Sequence, residues 1–170
     1  GGTLADTGNM LPSGGAAPAN VAFAADGRLA LVPNFDSGTI GILRVDASGG
    51  VTYGGRVGST AGFAGAQSVA FSPDGGRAYV LLAAGAVAVL EIATDGAVTD
   101  SGIRIAVGAP ASAYAGVDQI VTTASGMVLV HAGDAVSGGL IAVIDPRTNT
   151  VAGTIVLPRP AAGGGVVPIP

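Results

Sequence analysis

The sequence contains no cysteine, no tryptophan and no lysine, and it has one histidine and one glutamate. Without cysteine, the chain can form neither a disulfide framework nor a thiolate metal site. A single histidine also excludes a multi-histidine metal centre within one chain. The missing residue types therefore exclude thiol chemistry and histidine-rich metal sites.

Charge is scarce as well. Charged residues make up 11% of the chain, whereas about 25% is usual for globular proteins. All seven basic residues are arginine, and the net charge is −4 with an isoelectric point near 4.5. A nucleic-acid-binding domain carries a basic surface patch. We therefore expect no nucleic-acid partner.

Long apolar runs are absent. The longest covers residues 78–90 and is interrupted by Gly85, whereas a membrane-spanning helix needs about 20 apolar residues. Two strands joined by a turn explain this run better, so we expect no membrane span. The N-terminus lacks an initiator methionine and a basic segment followed by an apolar one. We expect that the chain begins after processing or is a fragment.

Glycine is abundant, with 30 residues, and it marks turns that recur along the chain. Asp26, Asp74 and Ser125 are each followed by a glycine, and the intervals between them are 48 and 51 residues. A short apolar strand precedes each turn and another follows it. Aspartate and glycine tolerate a positive φ angle, so strands can reverse direction tightly there. Intervals of this length are typical of propeller blades.

Two further strands follow in each repeat, after a glycine-containing loop and a polar turn. Alanine is the best helix former, but no helical period persists beyond about two turns in any alanine-rich segment. The sequence predicts an all-β protein, a β-propeller-type array of four-stranded antiparallel blades. We expect about three blades plus one N-terminal strand and almost no helix.

The repeat divides the chain into five predicted segments. Residues 1–12 are expected to form the outer strand of a preceding blade, because residues 6–8 match residues 100–102 of a later outer strand. The blades are expected at residues 20–58, 67–108 and 117–158. Residues 159–170 are rich in proline and glycine, which is typical of a tail or linker.

The segments VAFSPDGGRAYVL (residues 69–81), VAVLEIATDG (residues 87–96) and IAVIDPRTNTVAGTIVLP (residues 141–158) resemble blades of the YVTN-type, lactonase-like β-propellers. The resemblance covers roughly residues 20–158. Residues 32–34 come nearest to the tetrapeptide that names the repeat, and residues 80–82 and 130–132 depart from it. The family includes surface-layer and cell-surface proteins, lactonases and cyclases of the carboxymuconate type.

The propellers that the chain resembles close with about seven blades, whereas this chain supplies three and a strand. Because a blade cannot bury both faces alone, an open array exposes apolar faces and strand edges. The first explanation is that the chain is part of a longer polypeptide. Alternatively, two copies form a ring of six or seven blades, or the arc packs against other subunits. The expected partners are therefore proteins, further copies or further segments that complete the propeller.

The candidate catalytic residues are few. His131 is the only histidine, and with Asp134 nearby it could act as a general base; it could equally be a loop histidine with local hydrogen bonds. Arg28 and Arg77 are candidates for stabilising a carboxylate or enolate in an enzyme. None of these residues forms a recognised catalytic motif.

The resemblance implies that the first strand of each blade lines a central channel. Polar residues at the mouth of that channel are the candidate ligand-binding residues: Asn20, Gln67, Ser68, Asp118 and Gln119. They could bind a ligand or simply form the wet lining of the channel. The aspartates do not have the spacing of a calcium loop, and no phosphate-binding loop is present. We therefore predict no metal site and no cofactor.

Three functions remain open from the sequence. The first is a non-catalytic extracellular or cell-surface propeller module with a structural or protein-interaction role, which the lack of catalytic groups favours. The second is a lactonase-like or cyclase-like enzyme that acts at the channel mouth. The third is a binder of small ligands or glycans, for which seven aromatic residues are few. The expected location is secreted, periplasmic or on the cell surface.

Overall fold

The computed structural model describes residues 8, 10–59, 62–108, 120–134 and 138–157. Within these residues, strands form three four-stranded sheets. Blade 1 consists of β1 (Ala22–Phe23), β2 (Leu29–Asn34), β3 (Thr39–Val45) and β4 (Val51–Val57). Blade 2 consists of β5 (Ala66–Phe71), β6 (Arg77–Leu82), β7 (Ala86–Ile92) and β8 (Val98–Ala106). Blade 3 consists of β9 (Ile120–Thr122), β10 (Val128–Asp134), β11 (Gly138–Asp145) and β12 (Thr150–Leu157).

Each sheet is a simple antiparallel meander, with its strands in sequence order. The turn between the first two strands contains a glycine with positive φ in every blade, namely Gly27, Gly75 and Gly126. Glycine adopts this conformation without the penalty of a side chain. The predicted fold class, an all-β propeller-type array, is confirmed, and no helix occurs in the described residues. Accordingly, that part of the chain contains no helix that could cross a membrane.

The predicted segment boundaries relate to these sheets as follows. The strands of the three blades cover residues 22–57, 66–106 and 120–157. Of the predicted N-terminal strand, residues 1–7 and 9 lie outside the described residues, and residues 10–12 lie outside the strands. The predicted tail, residues 159–170, also lies outside the description. The five-segment division therefore stays a prediction.

The blades are held together by apolar side chains that pack face against face. Alternate side chains on a strand point to opposite faces, and both faces of blade 2 are buried. One cluster contains Leu31 and Ile40 of blade 1 with Val80 of blade 2. The other contains Leu81 of blade 2 with Val130 of blade 3. Blade 2 is therefore the centre of the core.

Polar contacts add to this packing at the edges of the blades. Arg44 Nη2 in blade 1 donates to the carbonyl of Gly96 in blade 2 at 2.7 Å. In the next pair of blades, Arg77 Nη1 donates to the carbonyl of Pro146 at 2.9 Å. Each arginine reaches the turn between the third and fourth strands of the following blade. The two interfaces thus share an arginine contact as well as an apolar core.

The outer strands carry a register shift at the same level in all three blades, between β3 and β4, β7 and β8, and β11 and β12. Blade 2 has one more shift, on its innermost strand. Ala66 pairs with Leu82 and Ser68 pairs with Leu81, so Gln67 is the extra residue of a bulge. Bulges alter the direction of side chains and are common beside functional sites. Among the described residues of the inner strands β1, β5 and β9, Gln67 is therefore the one that interrupts regular pairing.

Replacement of Leu81 by alanine tests the packing account. Leu81 is fully buried between blades 2 and 3, so Leu81→Ala should lower the free energy of unfolding by about 2–5 kcal/mol. The matched control is Val156→Ala on the exposed surface of β12, which should change it by less than about 0.5 kcal/mol. Urea denaturation followed by circular dichroism measures both. Equal effects of the two variants would contradict interface packing as the main source of stability.

Candidate functional site

The starts of the innermost strands define one end of the array, which we call the channel mouth. In blade 1, Pro18 forms an isolated bridge with Asn34 at the end of β2. In blade 2, Ala66 at the start of β5 pairs with Leu82 at the end of β6. The turns between the first and second strands lie at the opposite end. The channel mouth therefore includes the residues that lead into β1 and β5.

Three of the predicted ligand-binding residues meet at this mouth. Asn20 Nδ2 donates to Ser68 Oγ at 3.3 Å, which links blade 1 to blade 2. Ser68 and its neighbour Gln67 are both buried, and Asn20 is half-buried. The structure thus brings Asn20, Gln67 and Ser68 together. Asp118 and Gln119, the other two predicted residues, lie outside the described residues.

Gln67 has an unsatisfied polar atom. Its Oε1 is buried and makes no hydrogen bond within the part of the chain that the structure describes. An amide oxygen accepts hydrogen bonds through two lone pairs. A buried acceptor without a donor costs about 1–3 kcal/mol, and an ordered water is one way to satisfy it. The bulge of β5 therefore places a buried hydrogen-bond acceptor near the channel mouth.

A polar network fixes the adjacent part of blade 1. Asn34 is fully buried, and its Nδ2 donates to the carbonyl of Ser13 at 2.9 Å and to Thr39 Oγ1 at 3.3 Å. Gly15 lies so close that a Cβ there would collide with Ser37 Oγ and Thr39 Oγ1. These contacts hold residues 13–15 against the ends of β2 and β3. They thereby fix the course of the segment that leads into β1, which contains Asn20.

His131 lies away from this cluster. It is in β10, the second strand of blade 3, and pairs with Ile141. Its ring covers Gly139, where a Cβ would lie 3.1 Å from Nε2. Alternate residues of β10, such as Val130, pack against blade 2, so His131 is on the other face of blade 3. Asp134 is the last residue of β10, and its side chain is outside the description.

The two candidate arginines lie at the opposite end of the blades. Arg28 is exposed and follows the β1–β2 turn, where its amide donates to Asp26 Oδ1. Arg77 opens β6, and Leu81, the counterpart of His131, is four residues further along that strand. At about 3.3 Å per residue, this separates the two levels by roughly 13 Å. The structure therefore does not bring Arg28 and Arg77 into one site with His131.

Aspartates at the opposite end are engaged in turns. Ser72 Oγ donates to Asp74 Oδ1 at 2.6 Å and the amide of Gly76 donates at 3.1 Å. These hydrogen bonds hold the pKa of Asp74 below its usual value, the serine contact being the larger cause. Within the described residues, no three histidine or carboxylate side chains cluster as a metal site would require. The turn aspartates are explained by turn structure.

Two features were not expected from the sequence. One is the bulge at Gln67, since a single extra residue in an apolar strand leaves no signature in composition. The other is the buried position of Asn34 at the end of β2. Its neighbours residues 13–15 form a Ser-Gly-Gly segment. Glycine permits a close approach of the backbone to its neighbours, so this segment is the sequence signal from which the contact could have been inferred.

Comparisons with known proteins identify the fold. No protein family and no curated protein matches the chain. A functionally unknown protein from Desulfotomaculum acetoxidans matches with a TM-score of 0.80 and 25% identity, over 98% of this chain and 50% of its own. The periplasmic gluconolactonase of Pseudomonas aeruginosa matches with a TM-score of 0.64 and 21% identity, over 85% of this chain and 40% of its own.

A third solved structure is similar over most of the chain. The hydrazine synthase of Kuenenia stuttgartiensis gives a TM-score of 0.69 at 19% identity, over 92% of this chain and 40% of its own. The chain thus spans half or less of the length of each of these proteins. Structures similar to this chain include a lactonase-type propeller protein, and these likenesses show its fold.

Replacement of Ser72 tests the cause of the low pKa of Asp74. In Ser72→Ala, the pKa of Asp74 should rise toward the usual value of about 3.9, which carboxyl NMR titration measures directly. A carboxylate with a lowered pKa stabilises the folded state above its unfolded pKa and loses that contribution as pH falls through the folded pKa. The variant should therefore lose less stability on acidification than the unmodified protein.

Asp46 is the internal control for this titration. Its pKa is lowered mainly by the side chain of Ser48, in a different turn. It should titrate identically in both proteins. An unchanged pKa of Asp74 in Ser72→Ala would contradict the assignment.

Proposed function

We propose that this chain is the three-bladed part of a lactonase-like β-propeller protein that takes a small hydroxylated molecule, such as a sugar lactone, at the channel mouth. The observation that carries the proposal is the buried, unpaired Oε1 of Gln67 at the β5 bulge, beside Ser68 and Asn20. Ligand sites combine concave surface with a few well-placed polar groups. The channel mouth has such groups on two adjacent blades.

The chemistry of the cluster suits a ligand that is rich in hydroxyl groups. Gln67 Oε1 can accept a hydrogen bond from a hydroxyl, and the serine hydroxyl can donate or accept. Asn20 is oriented by its hydrogen bond to Ser68. These residues are uncharged, so they bind and orient a neutral ring. In this proposal, hydrolysis also uses groups from the rest of the propeller.

The likeness to the periplasmic gluconolactonase of Pseudomonas aeruginosa supports the lactone as substrate class and the periplasm as location. In lactone hydrolysis, water attacks the ring carbonyl and negative charge develops on its oxygen. Donors placed at that oxygen lower the barrier. The side-chain amide of Gln67 is a donor of the required type. We assign Gln67 to ligand binding and charge stabilisation, and Asn20, through its hydrogen bond to Ser68, to positioning the cluster.

A second candidate function is a non-catalytic module of the periplasm or cell surface that binds other proteins. The observation that favours it is the exposure of large apolar side chains on β1, β12 and the segment before β1, including Phe23, Ile155 and Met10. Exposed apolar patches often mark protein-binding surfaces. Here the propeller serves as a rigid scaffold, and the channel mouth has no catalytic task.

Replacement of Gln67 by leucine distinguishes the two functions. Gln67→Leu keeps the size of the side chain and removes its acceptor, which is worth about 1–3 kcal/mol when buried. We expect the binding of D-glucono-1,5-lactone to weaken by roughly tenfold or more, and its hydrolysis above the spontaneous rate to fall in parallel. Calorimetry and a pH-indicator assay measure these quantities.

Ser125→Ala is the control, because Ser125 is exposed at the opposite end of blade 3. It should leave binding and hydrolysis unchanged, whereas Ser68→Ala should weaken both. If the native protein neither binds nor hydrolyses the lactone, the lactonase-like proposal fails and the scaffold role is favoured. If Gln67→Leu and Ser125→Ala behave alike, the channel mouth is not the site.

A further inference from the structure

Two arginines on outer strands occupy equivalent places in blades 1 and 2. Arg56 of β4 pairs with Gly41 of β3, and Arg104 of β8 pairs with Ala88 of β7. Gly41 pairs in turn with the fourth residue of β2, and Ala88 with the fourth residue of β6. The arginines are 48 residues apart, the interval that also separates the Asp-Gly turns of these blades.

Each arginine donates a hydrogen bond to the carbonyl of a glycine that precedes the inner strand of its own blade. Arg56 Nη1 donates to Gly14 at 3.2 Å, and Arg104 Nη2 donates to Gly62 at 3.0 Å. The two glycines are again 48 residues apart. The outer strand of a blade is three strand spacings, or roughly 14 Å, from the inner strand. The contact therefore links the outer strand to the stretch of chain that leads into the inner one.

The same two glycines stand six residues before the polar cluster of the channel mouth. We call residues 14–20 and 62–68 the entry segments of blades 1 and 2. The first ends at Asn20 and the second at Ser68, and the hydrogen bond between the blades joins these two residues. Gln67 also belongs to the second entry segment. Both blades therefore place a glycine held by an arginine at the same spacing from a channel-mouth residue.

The entry segment of blade 2 determines where Gln67 lies. Gln67 has no partner in the register between β5 and β6, so its position depends on the residues that precede it. Glycine has the greatest backbone freedom, and this segment contains Gly62 and Gly65. A backbone hydrogen bond holds Gly65, whose amide donates to the carbonyl of Phe35 at 3.2 Å. A side-chain contact, from Arg104, holds Gly62.

Further contacts reinforce the arginine in blade 2. The Arg104 guanidinium forms a two-pronged ion pair with Asp100, at 2.9 and 2.7 Å, and these hydrogen bonds hold the pKa of Asp100 below its usual value. The guanidinium also lies 5.0 Å from the centre of the Phe63 ring. Phe63 is fully buried in the apolar cluster between blades 1 and 2. A planar guanidinium can bind a carboxylate, a ring face and a carbonyl at once.

Blade 3 has threonine at the position of these arginines. Thr154 pairs with Ala142 of β11, as Arg104 pairs with Ala88. The residues that correspond to the entry segments of the other blades lie outside the described part of the chain. Among the described residues, the arginine contact therefore occurs in the two blades that form the polar cluster.

We propose that Arg56 and Arg104 are positioning residues of the channel mouth. Each holds an entry segment from the outer strand of its blade, and through that segment it fixes the side chains of Asn20, Gln67 and Ser68. The arginines act on a bound ligand only through these residues. The effect on ligand binding rests on the proposed function, whereas the effect on the position of Gln67 does not.

The test replaces Arg104 by methionine, which keeps the apolar stem of the side chain and removes the guanidinium. In NMR spectra of the isotope-labelled full chain without ligand, the side-chain amide signals of Gln67 should shift; their loss in Gln67→Leu identifies them. Binding of D-glucono-1,5-lactone, measured by calorimetry, should weaken by roughly 3- to 30-fold. Arg56→Met should have a smaller effect, on the side-chain signals of Asn20, because no ion pair is recorded for Arg56.

The matched control is Arg147→Met. Arg147 forms the same kind of two-pronged ion pair, with Asp145, at the opposite end of blade 3. Its replacement removes an arginine and an ion pair without touching an entry segment. The Gln67 signals and the affinity for the lactone should therefore stay as in the unmodified protein.

Two milder variants keep the test decisive if Arg104→Met does not fold. Arg104→Lys keeps a positive charge beside Phe63 and should retain part of the affinity and part of the native signal positions. Asp100→Asn changes neither the entry segment nor the polar cluster, and it removes the negative charge that orients Arg104. It should shift the Gln67 signals in the same direction as Arg104→Met, but less.

A purely structural role for Arg104 predicts a different result. Arg104→Met would then lower the free energy of unfolding, while the folded variant would keep the native Gln67 signals, and this outcome overturns the proposal. Equal affinity of Arg104→Met and the native protein for the lactone also overturns it. If the native protein does not bind the lactone, the proposed function fails, and the Gln67 signals alone decide whether Arg104 is a positioning residue.

Discussion

Every part of this structure depends on the burial of sheet faces against neighbouring blades. A four-stranded sheet with apolar residues on both faces is stable only when both faces are covered. Blade 2 meets this condition, with Val80 and Leu81, adjacent residues of β6, buried on opposite sides. Its strands are therefore apolar without alternation, which explains the long apolar run at residues 78–90. The same constraint explains why the polar side chains lie in turns, at strand ends and on the exposed outer strands, such as Asp100 and Arg104 of β8.

The location of the candidate site follows from this division. The space between the blades is filled by close-packed apolar side chains, so the polar side chains that link blades meet where strands begin or end. At the channel mouth, the hydrogen bond from Asn20 to Ser68 links two blades. Gln67, the extra residue of the β5 bulge, has no partner in the register between β5 and β6. The opposite end uses its aspartates and arginines to fix turns and to join blades. In the proposed function, ligand contacts therefore lie at the channel mouth, and the opposite end carries turns and contacts between blades.

Much of the fold was accessible from the sequence because its determinants are local. Glycines after Asp26 and Asp74 predicted the turns, and their spacing predicted the blades. The closeness of Asn20 and Ser68 followed from the resemblance to propellers, which placed both at the start of an inner strand. Other features depend on contacts between distant segments. Neither the bulge at Gln67 nor the face of β10 that carries His131 could be derived, because one residue of register decides each of them.

Amide hydrogen exchange of the native protein, measured strand by strand, tests the central claim that packing between blades stabilises this fold. Exchange is slowest where opening requires global unfolding. The account predicts that β6 and β7, which are covered on both faces, exchange more slowly than the outer strands β4 and β12. Exchange of β6 and β7 at the same rate as β4 and β12 would contradict it, because the blades would then be stable without their neighbours.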